Sequence, residues 1–308
     1  MKMVLILNRD AGTLRGADPD AVAEEIAGIF RTHGHQVRVE IASGGAAIDA
    51  IRKACAADTA EVVVVGGGDG TVSAAAAAAS ECGIALGILP LGTMNFFARS
   101  LEIPLGNIKE AAESLAAGEI AKVDIATVNG RTFIHALALG LHPALVQERE
   151  KQEYHSRYGK MLGSVRAWLR VIREGRRFDV ALDVNGRRVA HRTAGIVVSN
   201  NPLGEGHMPY ADELEDGLLG IYVTTARGWL QLVRVTASAA LGTVADNPWV
   251  EVYEAPRVEI GFSRHGVPAT VDGELLTLTS PLKVESRRNA LRVLRPRPAA
   301  PQAAGEAR

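Results

Sequence analysis

Four consecutive valines, Val62 to Val65, run directly into the sequence Gly66-Gly67-Gly68-Asp69-Gly70. The valines predict a buried strand and the residues after Gly70 predict a helix, so the glycines form the turn between them. Glycines let amides approach an anion without a clash at Cβ, and the start of a helix adds partial positive charge. The spacing matches neither the dinucleotide-binding GxGxxG motif nor the GxxxxGK[ST] motif. We therefore expect an α/β sheet that binds an anion at a strand end through a different loop.

The aspartate in this turn, Asp69, restricts the chemistry further. A carboxylate repels a phosphate at close range, so Asp69 is better suited to placing Mg²⁺ or contacting a substrate hydroxyl. The alternative is a tight turn without any ligand. Three glycines followed by Asp-Gly-Thr71 favour the binding function over that alternative.

The first 125 residues alternate between strand and helix patterns. Asp18-Pro19 is typical of a helix start, and Asn107 with Glu110 is typical of another. Strands separated by helices indicate a parallel sheet with helices on both faces, so we predict a three-layer α/β domain at residues 1–125. Strands are expected at 3–7, 36–41, 61–65 and 84–89, and helices at 19–32, 46–56 and from 107 to about 117.

Residues 126–281 carry a different pattern, which predicts a mainly antiparallel β domain. Asn129-Gly130 and Asn185-Gly186 are hairpin turn sequences between alternating strands. Residues 282–295 are expected to return to the first domain, and the Pro/Ala-rich tail at 296–308 is expected to be disordered. Further strands are predicted at 194–199, 218–224, 257–262, 267–271 and 282–285, with helical stretches near 158–174 and 227–241.

Composition excludes several function classes. The chain has 308 residues and a formal net charge of −1, which argues against a dedicated nucleic-acid binder. Two cysteines and eight scattered histidines supply no zinc-binding spacing. No apolar run reaches the length of a membrane-spanning helix or the core of a signal peptide. We expect a soluble, cytoplasmic protein that contacts the inner face of a membrane only peripherally.

A second motif follows the next predicted strand and reads Pro90-Leu91-Gly92-Thr93-Met94-Asn95-Phe96-Phe97-Ala98-Arg99. Strand ends of parallel sheets are where open α/β folds bind ligands. Thr93 and Asn95 are suited either to capping the helix that follows or to contacting a nucleotide, and taken alone the motif favours capping.

The two motifs together resemble those of the diacylglycerol kinase catalytic-domain family, which includes bacterial lipid kinases, sphingosine kinases and ceramide kinases. That family carries a GGDGT loop, matched by residues 67–71, and a PxGTxNxFAR segment about twenty residues later, matched by residues 90–99. Asp216-Gly217-Leu218-Leu219 resembles its DGLL segment, and Val271-Asp272-Gly273-Glu274 resembles its late DGE turn. The resemblance covers about residues 3–294 and implies a nucleotide-binding first domain of the NAD kinase/diacylglycerol kinase type.

The resemblance implies ATP and Mg²⁺ as cofactors and a lipid as the phosphate acceptor. It assigns the amides of Gly66, Gly67, Gly68 and Gly70 to the ATP phosphates, with Asp69 beside them to help place Mg²⁺. It also assigns contacts with the nucleotide or its phosphates to a further set of residues: Asn8, Thr71, Gly92, Thr93 and Asn95.

Two further assignments concern the second domain. Relatives place the glutamate of the DGE turn at the catalytic centre, so Glu274 is the expected base for the lipid hydroxyl. From the residues alone, Asp272-Gly273 is a hairpin turn and Glu274 a merely exposed neighbour. Asp216 is expected to bind a structural Mg²⁺ with backbone carbonyls near Glu213 and Leu218, although Asp-Gly is also an ordinary turn.

Two positions depart from the family pattern. Ser73-Ala74 stands where many members have Asn-Glu, and Phe96 stands where many members have Asp. In some relatives that Asp links metal sites. The departure therefore argues against an extended Mg²⁺ network, while leaving phosphate binding intact.

Residues 149–177 contain nine Lys/Arg and three Glu, with Trp168 and other apolar residues at helical spacing. Such a helix either lies on anionic lipid headgroups or packs its apolar stripe on the β domain, and the stripe favours packing. A lipid kinase must meet its substrate at a membrane surface, so we expect a peripheral membrane contact. The sequence leaves open whether the protein forms a homodimer.

The function predicted from these patterns is an ATP-dependent lipid kinase, with diacylglycerol as the expected acceptor and phosphatidic acid as the product. An NAD kinase-like enzyme is one alternative, because such enzymes use a related GGDGT loop. A non-catalytic nucleotide- or lipid-binding regulator is the other, and the departures at Ser73 and Phe96 keep it open.

Overall fold

The computed structural model describes residues 1–14, 16, 18–56, 60–150, 168, 170, 172–173, 177–263 and 266–297. The chain forms two compact units. Unit 1 contains residues 1–122 and the chain from Leu291 onward, and unit 2 contains Val123–Ala290. We had placed the returning segment at 282–295, but residues 282–290 belong to unit 2. Most of the predicted disordered tail, from residue 298 on, lies outside the described residues.

Unit 1 is built on a parallel sheet, as predicted. Its strands are β1 (Lys2–Asn8), β2 (Gln36–Ala42), β3 (Val62–Gly67), β4 (Ala85–Pro90) and the end of β16 (Leu282–Arg295). They lie in the order β2-β1-β3-β4-β16, and each neighbouring pair is parallel. The helices are α1 (Pro19–Thr32), α2 (Gly44–Ala56), α3 (Asp69–Cys82), α4 (Phe96–Ser100) and α5 (Ile108–Ala116).

The helices of unit 1 form two layers, because α1 packs with α5 and α2 packs with α3. The predicted start of α1 is confirmed: the carboxylate of Asp18 accepts a hydrogen bond from the amide of Asp20 at 3.1 Å, and Pro19 opens the helix. The alanine run of α3 lets this helix approach the sheet closely, since Ala75 and Ala76 are fully buried.

Unit 2 is an antiparallel β structure with two helices described. One sheet has the order β12-β11-β10-β7-β14-β15, and a second joins the start of β16 to β13, β8 and β9. The bounds are β5 (Glu119–Val128), β6 (Arg131–Phe133), β7 (Ala136–Gly140), α6 (Leu141–Glu150), β8 (Phe178–Val184), β9 (Arg187–Thr193), β10 (Gly195–Ser199), β11 (Leu219–Thr224), α7 (Trp229–Ala240), β12 (Val250–Ala255), β13 (Arg257–Phe262), β14 (Gly266–Val271) and β15 (Glu274–Thr279).

The core of unit 2 is formed by apolar side chains from both of its sheets. Leu137, Leu139 and Ile221 come from the first sheet, and Leu182 and Ile260 come from the second, all at most 1% exposed. Alternating strands that share one apolar interior are typical of a β sandwich. The predicted antiparallel domain is therefore confirmed.

Three hairpins of unit 2 turn through two residues that both have positive φ. The turns are Asn129-Gly130, Asn185-Gly186 and Asp272-Gly273, with φ between 46° and 84°. Turns of this type match the twist of the flanking strands and select Asn or Asp followed by Gly. The hairpin turns predicted at these three dipeptides are therefore confirmed.

Some elements were not predicted. Helix α6 and strand β12 were missed, and β16 extends for 14 residues rather than ending at 285. The polar residues 286–289 interrupt the apolar pattern of β16 and are typical of a loop. The two ends of the strand belong to different units, and each end has its own pattern of buried residues. Of the helix predicted at 158–174, only residues 168, 170, 172 and 173 are described. Ile172 is buried and Trp168 packs on the same cluster, so the described part of the stripe packs on unit 2.

No helix within the described ranges is both long enough and apolar enough to cross a membrane.

Candidate functional site

The first two glycines of the loop that follows the valines lie inside β3 and are buried. A Cβ on Gly66 would overlap Leu7, and a Cβ on Gly67 would lie 2.6 Å from Cβ of Thr71. These two positions therefore require glycine because neighbouring side chains occupy the space. Gly66 and Gly67, whose amides are predicted to bind phosphate, both lie within the sheet.

The chain leaves the sheet at Gly68 and begins α3 at Asp69. The amide of Val72 makes the first hydrogen bond of this helix, to the carbonyl of Gly68 at 3.0 Å. The amides of Asp69, Gly70 and Thr71 precede that bond, which is the usual position of unpaired donors at a helix start. Gly70 is exposed, and no protein atom lies within 4 Å of the position of its missing Cβ. An anion can approach the helix start at this point.

The carboxylate of Asp69 joins the two motifs. Its Oδ2 accepts a hydrogen bond from the amide of Asn95 at 3.1 Å, and its Oδ1 accepts one from the amide of Phe96 at 2.8 Å. Asp69 therefore satisfies donors at the start of α4 from a different element. Each carboxylate oxygen keeps a second lone pair, which suits a contact with Mg²⁺.

The second motif is held by its own asparagine. Asn95 has φ 51° and ψ 45°, its Oδ1 accepts from the amide of Gly92 at 3.0 Å, and its Nδ2 donates to the carbonyl of Gly92 at 2.9 Å. A Cβ on Gly92 would lie 2.7 Å from Cα of Gly68, so the two loops touch backbone to backbone. The side chain of Asn95 thus shapes the loop, while Thr93 is exposed.

The end of β1 joins the same edge of the sheet. Asn8 donates from Nδ2 to Oγ1 of Thr71 at 3.1 Å and accepts at Oδ1 from the amide of Asp10 at 3.1 Å. The hydroxyl of Thr13 donates to the carbonyl of Leu91 at 2.8 Å. The residues assigned to the nucleotide in unit 1 therefore meet where the parallel strands end. Thr13 was not singled out from the sequence, since a lone threonine after a turn carries no signal.

In unit 2, the turn between β14 and β15 presents Glu274 at the surface. Asp272 accepts hydrogen bonds from the amides of Ile134, His135 and Ala136 at 2.9–3.1 Å, which fixes the turn against the β6–β7 connection. Oε2 of Glu274 lies 2.6 Å from Nη2 of Arg131, and the glutamate side chain is 62% exposed. The hairpin therefore holds Asp272 firmly and leaves Glu274 accessible.

A buried carboxylate that the sequence analysis did not assign to the site organises the other end of unit 2. Asp124 is fully buried, accepts the amide of Asn289 at 2.8 Å through Oδ1, and accepts the amide of Gly217 at 2.6 Å through Oδ2. Asn201 bridges Asp124 to Asp216, at 3.4 and 2.9 Å. The available signal was an acid within the apolar second half of β5, between Val123 and Ile125.

The predicted structural metal site lies next to this network. Oδ1 of Asp216 accepts from Nδ2 of Asn201 at 2.9 Å and from the amide of Leu218 at 3.0 Å. Within the described residues, Oδ2 of Asp216 accepts no hydrogen bond, and no group of three or more acidic, His or Cys side chains is suited to a metal. A carboxylate and backbone carbonyls are hard oxygen donors, the ligand type that Mg²⁺ takes, and Asp216 lies between Glu213 and Leu218 in the segment before β11.

Burial changes the proton affinity of one tyrosine near this network. Burial raises the pKa of Tyr222 above its ordinary value, and the amide of Leu203, which donates to its hydroxyl oxygen at 2.8 Å, lowers it by less. Tyr222 thus remains a neutral phenol that anchors the loop after β10.

Unit 2 also contains a cavity of about 550 Å³. Its lining is largely apolar and includes Leu141, Phe178, Ala194, Phe262 and Val267, with Arg177 among the polar members. Cavities of this size and composition accommodate apolar ligand groups with a few polar contacts.

Comparison with known families agrees with this geometry. Residues 2–128 match the model described as the diacylglycerol kinase catalytic domain, which spans both glycine loops and the contacts of Asp69. Residues 144–295 match the model described as the YegS C-terminal NAD kinase beta sandwich-like domain. Residues 2–128 belong to the diacylglycerol kinase catalytic-domain family. The predicted family is therefore confirmed, and a lipid kinase is supported at the level of the family.

Individual members of the family are distant from this chain. It is 26% identical over 194 residues to a diacylglycerol kinase of Bacillus subtilis, a match that covers 61% of this chain and 62% of that protein. The matched part thus spans less than two thirds of the relative. A crystal structure of a diacylglycerol kinase from Bacillus anthracis superimposes with a TM-score of 0.72 at 21% identity and covers 96% of both chains. At that identity the likeness shows the fold alone.

Proposed function

We propose that this protein transfers the γ-phosphate of ATP to a lipid hydroxyl, with diacylglycerol as the acceptor and phosphatidic acid as the product. The observation that carries the proposal is the pair of glycine loops joined by the carboxylate of Asp69. A loop of this shape, in a chain of this family, is suited to phosphoryl transfer, which depends on positioning and neutralisation of charge.

In unit 1, the amides of Asp69, Gly70 and Thr71 at the start of α3 bind the phosphates of ATP. Gly66 and Gly67 contribute by letting the strand end pack closely, and Gly92 and Asn95 shape the neighbouring loop. Asp69 keeps this loop in place and presents its remaining lone pairs to the Mg²⁺ that accompanies ATP. The metal, when bound, neutralises charge on the transferred phosphoryl group.

In unit 2, Glu274 accepts the proton of the lipid hydroxyl. Its carboxylate is exposed, and its ion pair with Arg131 orients it. The turn fixed by Asp272 limits its movement. The largely apolar cavity holds an acyl chain of the substrate. Because this substrate is a membrane lipid, the protein acts at a membrane surface. Asp216 with the carbonyls of Glu213 and Leu218 holds a structural Mg²⁺ that fastens the loop beside Asp124.

The test is transfer of ³²P from [γ-³²P]ATP to a panel of acceptors in mixed micelles with Mg²⁺. The panel contains diacylglycerol, monoacylglycerol, sphingosine, ceramide, phosphatidylglycerol and, as a soluble acceptor, NAD. Glu274→Gln is expected to lower kcat by a factor of roughly 10² to 10⁴, because a general base contributes about that much, while ATP binding is retained. Glu259→Gln is the matched control, since Glu259 is an exposed strand glutamate of unit 2.

A second variant tests the phosphate site. Gly70→Ala adds a Cβ where no protein atom lies within 4 Å, so stability is expected to hold while KM for ATP rises. Labelled NAD in place of labelled lipid would indicate an NAD kinase-like enzyme. ATP binding without any labelled acceptor would contradict the kinase proposal and favour a regulator, and equal transfer by Glu274→Gln would contradict the role of the base.

A further inference from the structure

Helix α7 presents apolar side chains to solvent. Five large hydrophobic residues are exposed within the described part of the chain, and three of them lie on α7 or directly after it. Trp229 is 46% exposed, Leu230 is 59% exposed and Leu241 is 67% exposed. Exposed apolar residues clustered on one element mark an interaction surface more often than residues scattered singly.

Two of these residues, Leu230 and Leu241, lie on a stripe along one face of the helix, whereas Trp229 occupies the first helical position, about 100° from Leu230 around the axis. Leu230, Arg234, Ala237 and Leu241 are spaced at i, i+4, i+7 and i+11, which places them on the same side. The opposite side carries Leu232, which is 3% exposed and packs with Ile172, Ala194 and Ala226. One face of α7 therefore anchors the helix to unit 2, and the other exposes Leu230 and Leu241 together with Arg234, whose guanidinium lies 5.5 Å from the centre of the Trp249 ring.

The charges carried by α7 and the residues that flank it directly have one sign. Residues 226–245 contain two arginines, Arg227 and Arg234, and no acidic residue. Arg173 adds a third, with its guanidinium 6.0 Å from the centre of the Trp229 ring. Tryptophan with arginine beside it is typical of segments that lie at the interface between lipid headgroups and acyl chains.

We propose that the α7 face, consisting of Trp229, Leu230, Arg234, Ala237 and Leu241, docks on an anionic lipid bilayer with the helix parallel to its surface. A second copy of this chain is a poorer occupant. Two such faces packed together would bring arginines of the same sign into an apolar contact, which disfavours the pair. Anionic headgroups neutralise the arginines while the membrane interior takes up Trp229 and Leu230.

The α7 face is close in the fold to the cavity of unit 2. Leu141 and Ala194 line that cavity and also belong to the cluster on which α7 packs. A bilayer bound at α7 would therefore lie near the cavity that takes the acyl chain. This link to substrate delivery rests on the proposed function, whereas the docking itself does not.

The experiment is co-sedimentation of the full chain with sucrose-loaded vesicles, measured without ATP. One set of vesicles is phosphatidylcholine alone, and the other contains phosphatidylglycerol in addition. Trp229→Ser/Leu230→Ser is expected to lower the partition coefficient on the anionic vesicles at least about tenfold. Arg227→Gln/Arg234→Gln is expected to lower it by roughly fivefold per arginine and to weaken its dependence on salt.

Ile120→Ser is the matched control, because Ile120 is an exposed apolar residue of unit 1 and its variant should bind like wild type. Thermal unfolding verifies that each variant is folded. Wild-type protein that does not bind anionic vesicles, or a Trp229/Leu230 variant that binds them equally, overturns the proposal. A dimer in solution that the Trp229/Leu230 variant dissociates also overturns it. Transfer to a short-chain diacylglycerol is assayed separately, so loss of kinase activity is not mistaken for loss of docking.

Discussion

Oδ1 of Asp69 accepts a hydrogen bond from the backbone amide of Phe96 at 2.8 Å. This contact explains why an acid stands in a loop suited to phosphate: the carboxylate fastens the second glycine loop to the first. The hydrogen bond uses the backbone of residue 96, so it does not depend on the side chain.

Replacing Asp69 with asparagine should weaken both the fold of unit 1 and its activity. In asparagine an NH₂ group replaces one of the two carboxylate oxygens. That NH₂ group would face the backbone amide of either Asn95 or Phe96, which is also a donor, so one hydrogen bond is lost. Loss of a charge-assisted hydrogen bond is expected to cost about 1.5–3 kcal/mol of unfolding free energy, measured by urea denaturation. Asp49→Asn on α2 is the control and should change stability little, because its ion pair with Arg52 is exposed. Equal stability of the two variants would contradict the fastening role.

The contact between the two loops predicts a different cost for two glycine substitutions. Gly92→Ala places a Cβ 2.7 Å from Cα of Gly68, a backbone atom that cannot rotate away, so the variant should lose about 1–3 kcal/mol of stability. Gly45→Ala, in α2 with no atom within 4 Å, should gain roughly 0.5–1 kcal/mol from helix propensity. A Gly92→Ala variant whose midpoint of thermal unfolding equals or exceeds that of the wild type would show that the loops do not touch.

The buried carboxylate of Asp124 should be essential for the stability of unit 2. Asp124→Asn directs a donor at the amide of either Gly217 or Asn289, and no water replaces the lost acceptor because the side chain is fully buried. The expected cost is at least about 2 kcal/mol. Asp246→Asn, an exposed aspartate of the same unit, is the control for urea denaturation. A destabilisation of the control as large as that of Asp124→Asn would exclude a special role for the buried site.

The two cysteines should react at different rates. The pKa of Cys55 is raised from 9.0 to about 12. Burial is the largest cause, and the nearby Cys82 is the second. The thiolate is the reactive form, so at pH 8.5 iodoacetamide should label the exposed Cys82 first, and Cys55 should react only as the pH rises toward 12. Because the raised pKa favours the protonated thiol in the folded state, this contribution to stability is fully present below pH 9 and is lost progressively as the pH rises from 9 to about 12. Mass spectrometry of the labelled peptides measures both rates, and equal labelling at pH 8.5 would contradict the burial of Cys55.

Much of the local structure followed from neighbouring residues. The Asp18-Pro19 start of α1, the buried strand before Gly66, and the Asn-Gly and Asp-Gly turns were all predicted, because each depends on backbone preferences within a few positions. The two glycine motifs also identified the family. The strand β16 was predicted only in part, since its two ends pair with strands of different units and its polar middle reads as a loop.

The contacts that shape the candidate site were decided by the tertiary structure. Asp69 bonds to amides 26 and 27 positions away, and Asp124 bonds to amides 93 and 165 positions away. Nothing near these acids in sequence specifies those partners, because strand order determines which loops meet. The sequence of α7 likewise does not specify which of its sides is buried. Apolar residues lie on two sides of this helix, and only the packing of the folded chain determines which side faces the core. The sequence thus determined the elements and the chemical groups available, and the tertiary structure decided which groups meet.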